Sequence, residues 1–237
     1  MDTYVSRLLN DEGSVKWTSS AHRLPALNTA QNDFVLKVLS YGQEPRILDI
    51  LTEIQDEAVL SIETTGYALS ELAGPMVHGG VIGLKCLLDK KYVWATRIPS
   101  RNLPQQTNRY RKGSDTSPQF YIIKNVLYVT VGDGSYPVSS TLYYVREPKE
   151  LVTAGPAEYQ TAVCEINSMY HEFICKMATA ECHRMHGDTV NLNRYGAIMQ
   201  EVESQIQRIA VGGASESMNT NKEAWEDVKR GQGTPSR

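Results

Sequence analysis

Residues 156–186 read PAEYQTAVCEINSMYHEFICKMATAECHRMH, and the organisation of the whole chain turns on this stretch. Gly155 followed by Pro156 reads as an N-cap and first helical position, because proline there lacks only an N–H that would be orphaned anyway. Gly187 reads as the stop, since glycine takes the left-handed conformation past a last turn at little cost. Between them Tyr159, Val163, Ile166, Tyr170, Phe173, Met177 and Ala180 recur at three- and four-residue steps and share one face. At about 100° per residue, Cys164, Ser168, His171, Cys175, Ala178, Cys182 and His186 line the opposite side. Charge is confined to a band between the two, at Glu158, Glu165, Glu172, Lys176 and His183. A surface helix needs one dry face and one wet one. Two uncharged faces predict a helix at the centre of a bundle or at a subunit boundary.

Composition narrows the class. Of 237 residues, 41% are hydrophobic and 22% charged, as in ordinary globular chains and unlike disordered ones. A formal charge of −3 argues against nucleic-acid binding driven by overall charge. No apolar run approaches the roughly 18 residues of a membrane span, so no membrane partner is expected. Met1-Asp2-Thr3-Tyr4-Val5 shows neither a basic nor an apolar signal region, and synthesis in a reducing cytoplasm is the expectation. Three of the four cysteines, Cys164, Cys175 and Cys182, would rise about 16 and 10 Å apart along one helix, beyond the reach of a disulfide. Cys86 stands alone in a strand-like segment.

Taken in order, the chain predicts α+β architecture: a helical bundle with an inserted antiparallel β layer and an extended C-terminal tail. Residues 1–57 supply the first helices. In them Leu24, Leu27, Gln31, Phe34, Val38 and Tyr41 keep helical spacing up to Gly42, and Ile47, Leu51 and Ile54 face inward after Pro45. Residues 58–150 form the β region. Ala58–Glu63, Val81–Leu88, Tyr92–Ile98, Phe120–Lys124, Val126–Val131 and Ser139–Arg146 are short, β-branched and aromatic, with Asp89-Lys90-Lys91 as a hairpin turn. A long polar loop, 100–118, interrupts it. Residues 151–211 carry the long central helix and a final helix from about Val190 to Ile209. Residues 212–237 form a flexible tail.

Chemistry is sparse. Metalloprotease, phosphate-loop and nucleophile-elbow motifs are missing from the sequence. The Cys164, His171, Cys175, Cys182, His186 stripe offers zinc-type ligands, and a metal-binding or hydrolytic enzyme built on it is the alternative reading. The helices at 24–41 and 192–209 hold no cysteine or histidine to complete such a site, and free cysteine packs as a small hydrophobe. A packing seam is therefore preferred, with no catalytic, cofactor-binding or metal residues. Glu158, Glu165 and Glu172 repeat every seven residues as an acidic ridge, read as solvated or as lining a channel for a polyanion. Arg97, Arg101, Arg109, Arg111 and Lys112 concentrate positive charge around the loop, read either as suited to an acidic protein surface or phosphates or as a solvated loop. In the tail, Lys222, Trp225, Lys229 and Arg230 read as a docking peptide, because tryptophan is enriched among interface anchors.

Several stretches together resemble a known family. Leu8-Leu9-Asn10-Asp11, then Trp17, then Leu24-x-x-Leu27-Asn28-x-Ala30-Gln31 resembles the opening of tailed-bacteriophage head-to-tail adaptor (connector) proteins, the tail tubular protein A group. Gly66-Tyr67-Ala68-Leu69, Asn125 to Val129, Leu142 to Leu151 and Met169 to Ile174 are similar to later stretches of that group, in the same order over residues 1–186. The resemblance implies a structural virion protein, not an enzyme, without cofactors. Its members form a ring, commonly a dodecamer, docked under the portal protein at the head–tail junction. The ring joins a downstream tail or neck protein and continues the channel through which genomic DNA passes without sequence-specific binding. On this reading Cys164, Ser168, His171, Cys175, Cys182 and His186 meet a sister copy. The Trp225 segment docks to the portal, and Glu158, Glu165 and Glu172 line the channel.

Overall fold

The computed structural model describes residues 1–9, 18–42, 45–62, 66–99, 113–114, 116–131, 139–154, 159–160, 164–187, 190 and 192–209. The chain divides into two compact units. Met1–Ile50 and Lys149–Arg237 form one, and Leu51–Pro148 the other.

The first unit is helical. Helix α1 (Asp2–Leu8) buries Val5. A π-helical turn, Ser19–Arg23, runs straight into α2 (Leu24–Ser40), where Pro25 sits in the first turn. Arg23 grips Asp2 with two parallel bonds, Nε to Oδ1 at 2.7 Å and Nη2 to Oδ2 at 3.2 Å, so α1 is tied to the head of α2. Leu24, Leu27, Gln31, Phe34 and Val38 are buried, as their spacing predicts. A short α3 (Pro45–Asp49) follows. After residue 149 the chain returns to α2 through Asn28, whose side chain behaves like a strand neighbour. Its Nδ2 donates to the carbonyl of Leu151 at 3.0 Å, and Leu151 N–H donates to its Oδ1 at 2.8 Å.

The central helix is the first correction. Helix α4 spans His171–His186, about half of the expected run. Upstream, strand β8 (Thr153–Ala154) pairs antiparallel with β9 (Tyr159–Gln160), and both lie in the stretch expected to be helical or to lead into it. The start signal is Asn167, whose Oδ1 accepts from Met169 N–H at 3.1 Å and opens the 3-10 turn Ser168–Tyr170 that feeds α4. The stop is where the glycine places it: Gly187 has φ 74°. The final helix, α5, covers residues 192–209 and turns Val202 and Ile206 inward. Lys37 of α2 pairs with Glu203 of α5, and Lys176 of α4 with Glu201 at 2.8 Å.

The second unit is a seven-stranded sheet. In chain order the strands are β1 (Gln55–Leu60), β2 (Tyr67–Ala68), β3 (Met76–Leu88), β4 (Lys91–Arg97), β5 (Gln119–Ile123), β6 (Val126–Thr130) and β7 (Ser139–Arg146). Their spatial order is β1-β7-β3-β4-β5-β6-β2. Asp89 and Lys90 join β3 to β4 with φ 45° and 65°, and Lys124 and Asn125 join β5 to β6 with φ 49° and 64°. Both are two-residue turns of the left-handed kind that match strand twist. The expected purely antiparallel layer is instead mixed. Strands β4 and β5 run parallel, with Thr96 opposite Gln119 and Arg97 opposite Phe120. A two-residue turn can only reverse the chain, whereas a parallel return needs a dozen or more residues, and the 100–118 segment supplies them.

Alternation sets the core of this unit. Ser140, Leu142 and Tyr144 of β7 and Leu84, Cys86 and Leu88 of β3 face inward with Phe120, Leu127 and Val129. On the other face Trp94 and Tyr92 are exposed, Trp94 packing on Tyr143 at 5.3 Å between ring centroids. Strand β3 breaks register against β7 between Met76 and Gly83, around Gly79, whose φ is 78°. That bulge shapes the cleft described next.

Candidate functional site

The cysteine stripe lies inside the chain. Cys164, Cys175 and Cys182 are 6%, 2% and 0% exposed, so they present no surface to a sister copy. Helix α1 and its N-cap meet Cys175 and Cys182: Cys175 Sγ lies 3.9 Å from the carbonyl of Met1, and Asp2 stands near Cys182, as does Arg23 at the head of α2. The other flank of α4 is met by α2, where Phe34 packs on Tyr170 at 5.8 Å. Two dry faces are thus explained by two helices of the same unit, which corrects the expectation that a neighbouring copy fills one of them. Cys164 also precedes α4 and so is not on the same helix as Cys175. Ser168 is exposed in the 3-10 turn, His171 Nε2 donates to the carbonyl of Ile166 at 2.7 Å, and His186 closes α4.

Burial also changes the acidity of the thiols. Desolvation pushes the Cys175 and Cys182 thiols up to about 12, far into the protonated form. A nucleophilic thiol requires the opposite shift. Among the described residues no three His, Cys, Asp or Glu side chains gather in a metal-ligand arrangement.

The acidic ridge does not form either. Glu165 sits before α4, where its Oε1 pairs with Lys149 Nζ at 2.9 Å and its Oε2 accepts from the Lys149 backbone N–H at 3.1 Å. Glu172 lies in the first turn of α4, 3.1 Å from Lys176. Glu165 and Glu172 therefore do not share one helix, and Glu158 falls outside the described residues.

Of the basic loop, Arg101, Arg109, Arg111 and Lys112 lie outside the described residues, as do Lys222, Trp225, Lys229 and Arg230 of the tail. Arg97 is described, and it lines a polar cleft. Strand β4 leaves β3 after the Leu84–Ala95 pair and joins β5. The divergence opens a cleft of about 650 Å³ between the N-terminal half of β3 and the β5–β6 turn. Leu69, Val81 and Ile122 contribute its apolar part, and His78, Arg97 and Lys124 its basic part, with Glu147 as the carboxylate among them. Among the described residues neither Arg97 nor Lys124 forms an ion pair. Sequence reading found Arg97 from local charge but missed Lys124 and His78, which are 27 and 19 positions away in the chain. The Lys124-Asn125 pair between two strand-like segments is a turn signal that could have flagged Lys124.

A second, more apolar hollow of about 370 Å³ lies in the helical unit, with Leu36, Met177, Met199, Val202 and Ile206 on its walls. The Lys37–Glu203 pair stands on its rim.

The model of one protein family, described as SU10 adaptor protein, matches residues 1–223. No curated protein matches the chain.

Proposed function

Because the chain belongs to the SU10 adaptor protein family, it is a structural adaptor of a bacteriophage virion, and we propose that it works as a closed ring at the head–tail junction. The single observation behind this reading is the extent of the family match, which takes in the helical unit, the inserted sheet and α5 alike. In this reading identical copies join head to tail, since a heterologous interface that closes on itself gives a ring, here a dodecamer. One side of the ring holds the portal protein and the other a tail or neck protein, while genomic DNA passes through the channel.

The tail with Lys222, Trp225, Lys229 and Arg230 is proposed as the portal-docking segment, which would order on binding. Arg101, Arg109, Arg111 and Lys112 are proposed to contact an acidic neighbour in the assembly. Glu172, exposed on α4, is the acidic residue proposed to face the channel. With Cys164, Cys175 and Cys182 enclosed, the contact between copies is proposed to use surface outside that stripe.

The test is reconstitution. Purified chain is mixed with its portal protein, weighed by analytical ultracentrifugation and imaged by electron cryomicroscopy. A ring of chains seated on the portal is expected, and its formation should fail when residues 212–237 are removed. A chain that stays monomeric and ignores the portal at all concentrations would overturn the reading.

A further inference from the structure

The cleft between β3 and the β5–β6 turn has features that the ring reading does not use. Two fixed cations, Arg97 and Lys124, and the imidazole of His78 line a concave surface with a single carboxylate, Glu147, among them. A cleft in which one sign of charge predominates focuses the field toward an incoming anion. The neighbouring wall is apolar, its surface given by the half-buried Met76 and Ile122 above the buried Leu69 and Val81. Beside it, residues Met76–Val81 of β3 pair with β7 on one side, while β4 has already departed on the other. At the bulge, nothing among the described residues lies within 4 Å of where a Gly79 side chain would stand.

We propose that this cleft docks an extended acidic segment of a partner protein. Alternate side chains of an extended strand point to opposite sides, so carboxylates can meet Arg97 and Lys124 while apolar neighbours rest on Met76 and Ile122. The clearance that the described residues leave at Gly79 lets the backbone of that segment come close. A nucleic-acid strand fits less well, because phosphates give the apolar wall nothing to bury and the chain carries a net charge of −3. The inference is independent of the ring: a single copy has the whole cleft within its second unit.

The experiment pans a yeast-displayed random heptapeptide library against the full chain and against its R97E/K124E variant. Both side chains are exposed, so the variant should keep its thermal melt, which circular dichroism checks. The wild-type chain is expected to enrich peptides alternating Asp or Glu with Leu, Ile or Val. The selected peptide should lose about tenfold or more in affinity to R97Q/K124Q, and R97E/K124E should enrich Lys- and Arg-bearing peptides instead. Inorganic phosphate and a single-stranded oligonucleotide run as competitors. No enrichment over bare beads, or enrichment indifferent to the two charges, would overturn the proposal. Oligonucleotide binding that depends on Arg97 and Lys124, without peptide enrichment, would overturn it too. Ring assembly is read separately by sedimentation, so failure of one reading does not decide the other.

Discussion

If α1 covers the cysteine stripe, native thiol chemistry should be nearly silent. Cys175 and Cys182 are 2% and 0% exposed, and burial moves both from the ordinary 9.0 to about 12. The thiolate is the reactive species, and a three-unit rise lowers its fraction at pH 8 about a thousandfold. Exclusion of the reagent by α1 slows the reaction further. The assay is iodoacetamide labelling of the full chain at pH 8, followed by mass spectrometry of the cysteine peptides. Cys175 and Cys182 should label at least a thousandfold more slowly than an unstructured cysteine peptide, and at its rate once urea unfolds the chain. Asp2→Asn, which weakens the clasp with Arg23, should speed labelling of Cys175 and Cys182 but leave Cys86, in the other unit, unchanged. Native labelling of Cys175 at the free-peptide rate would refute the reasoning. It would mean that the stripe is open in a single chain and awaits a cover from elsewhere.

The same two thiols set a pH dependence. Their folded values lie above the unfolded one, so the stability they contribute is complete below about pH 9 and is lost as pH rises toward 12, by about 1.4 kcal/mol per unit for each thiol. Urea melts between pH 8 and 11 should show this fall, and C175A/C182A should flatten it. Asn28→Ala removes both bonds to the Leu151 backbone and strands buried polar groups, for an expected loss of about 2–4 kcal/mol by chemical denaturation. Asn28→Asp should recover part of this, since a carboxylate still accepts from Leu151 N–H. Gly66→Ala forces a Cβ to 2.7 Å from Val126 Cγ1 and 2.8 Å from the Leu127 carbonyl at φ 78°, so a loss of about 2 kcal/mol or more in the sheet unit is expected. A melting temperature within a degree or so of the parent would show that β2 has another way to reach β6.

The Leu24-x-x-Leu27-Asn28-x-Ala30-Gln31 stretch carries two different kinds of information. Its leucines mark the buried stripe of α2, which periodicity reveals unaided. Its asparagine serves a contact 123 positions away, with Leu151, and Gln31 donates to the same Oδ1 at 3.2 Å. Nothing local to Asn28 says so. A polar residue on a dry helical edge is a sign that a distant backbone needs a partner, but which backbone is a tertiary fact.

What the amino-acid order determined by itself is whatever depends on near neighbours in the chain. Ser139–Arg146 is a strand with those ends, Asp89-Lys90 is a tight turn, Gly187 ends a helix, and α4 is dry on two sides. Each follows from side-chain period or from the dihedral freedom of one residue. Tertiary structure alone decided which atoms fill a dry side and which way β5 runs beside β4. Periodicity reports that a face is buried but carries no label for its cover, so α1 and a sister copy look alike from Cys164, Cys175 and Cys182. Arg97, Lys124 and His78 likewise become one cleft only because β4 abandons β3 for β5, a choice made by long-range pairing.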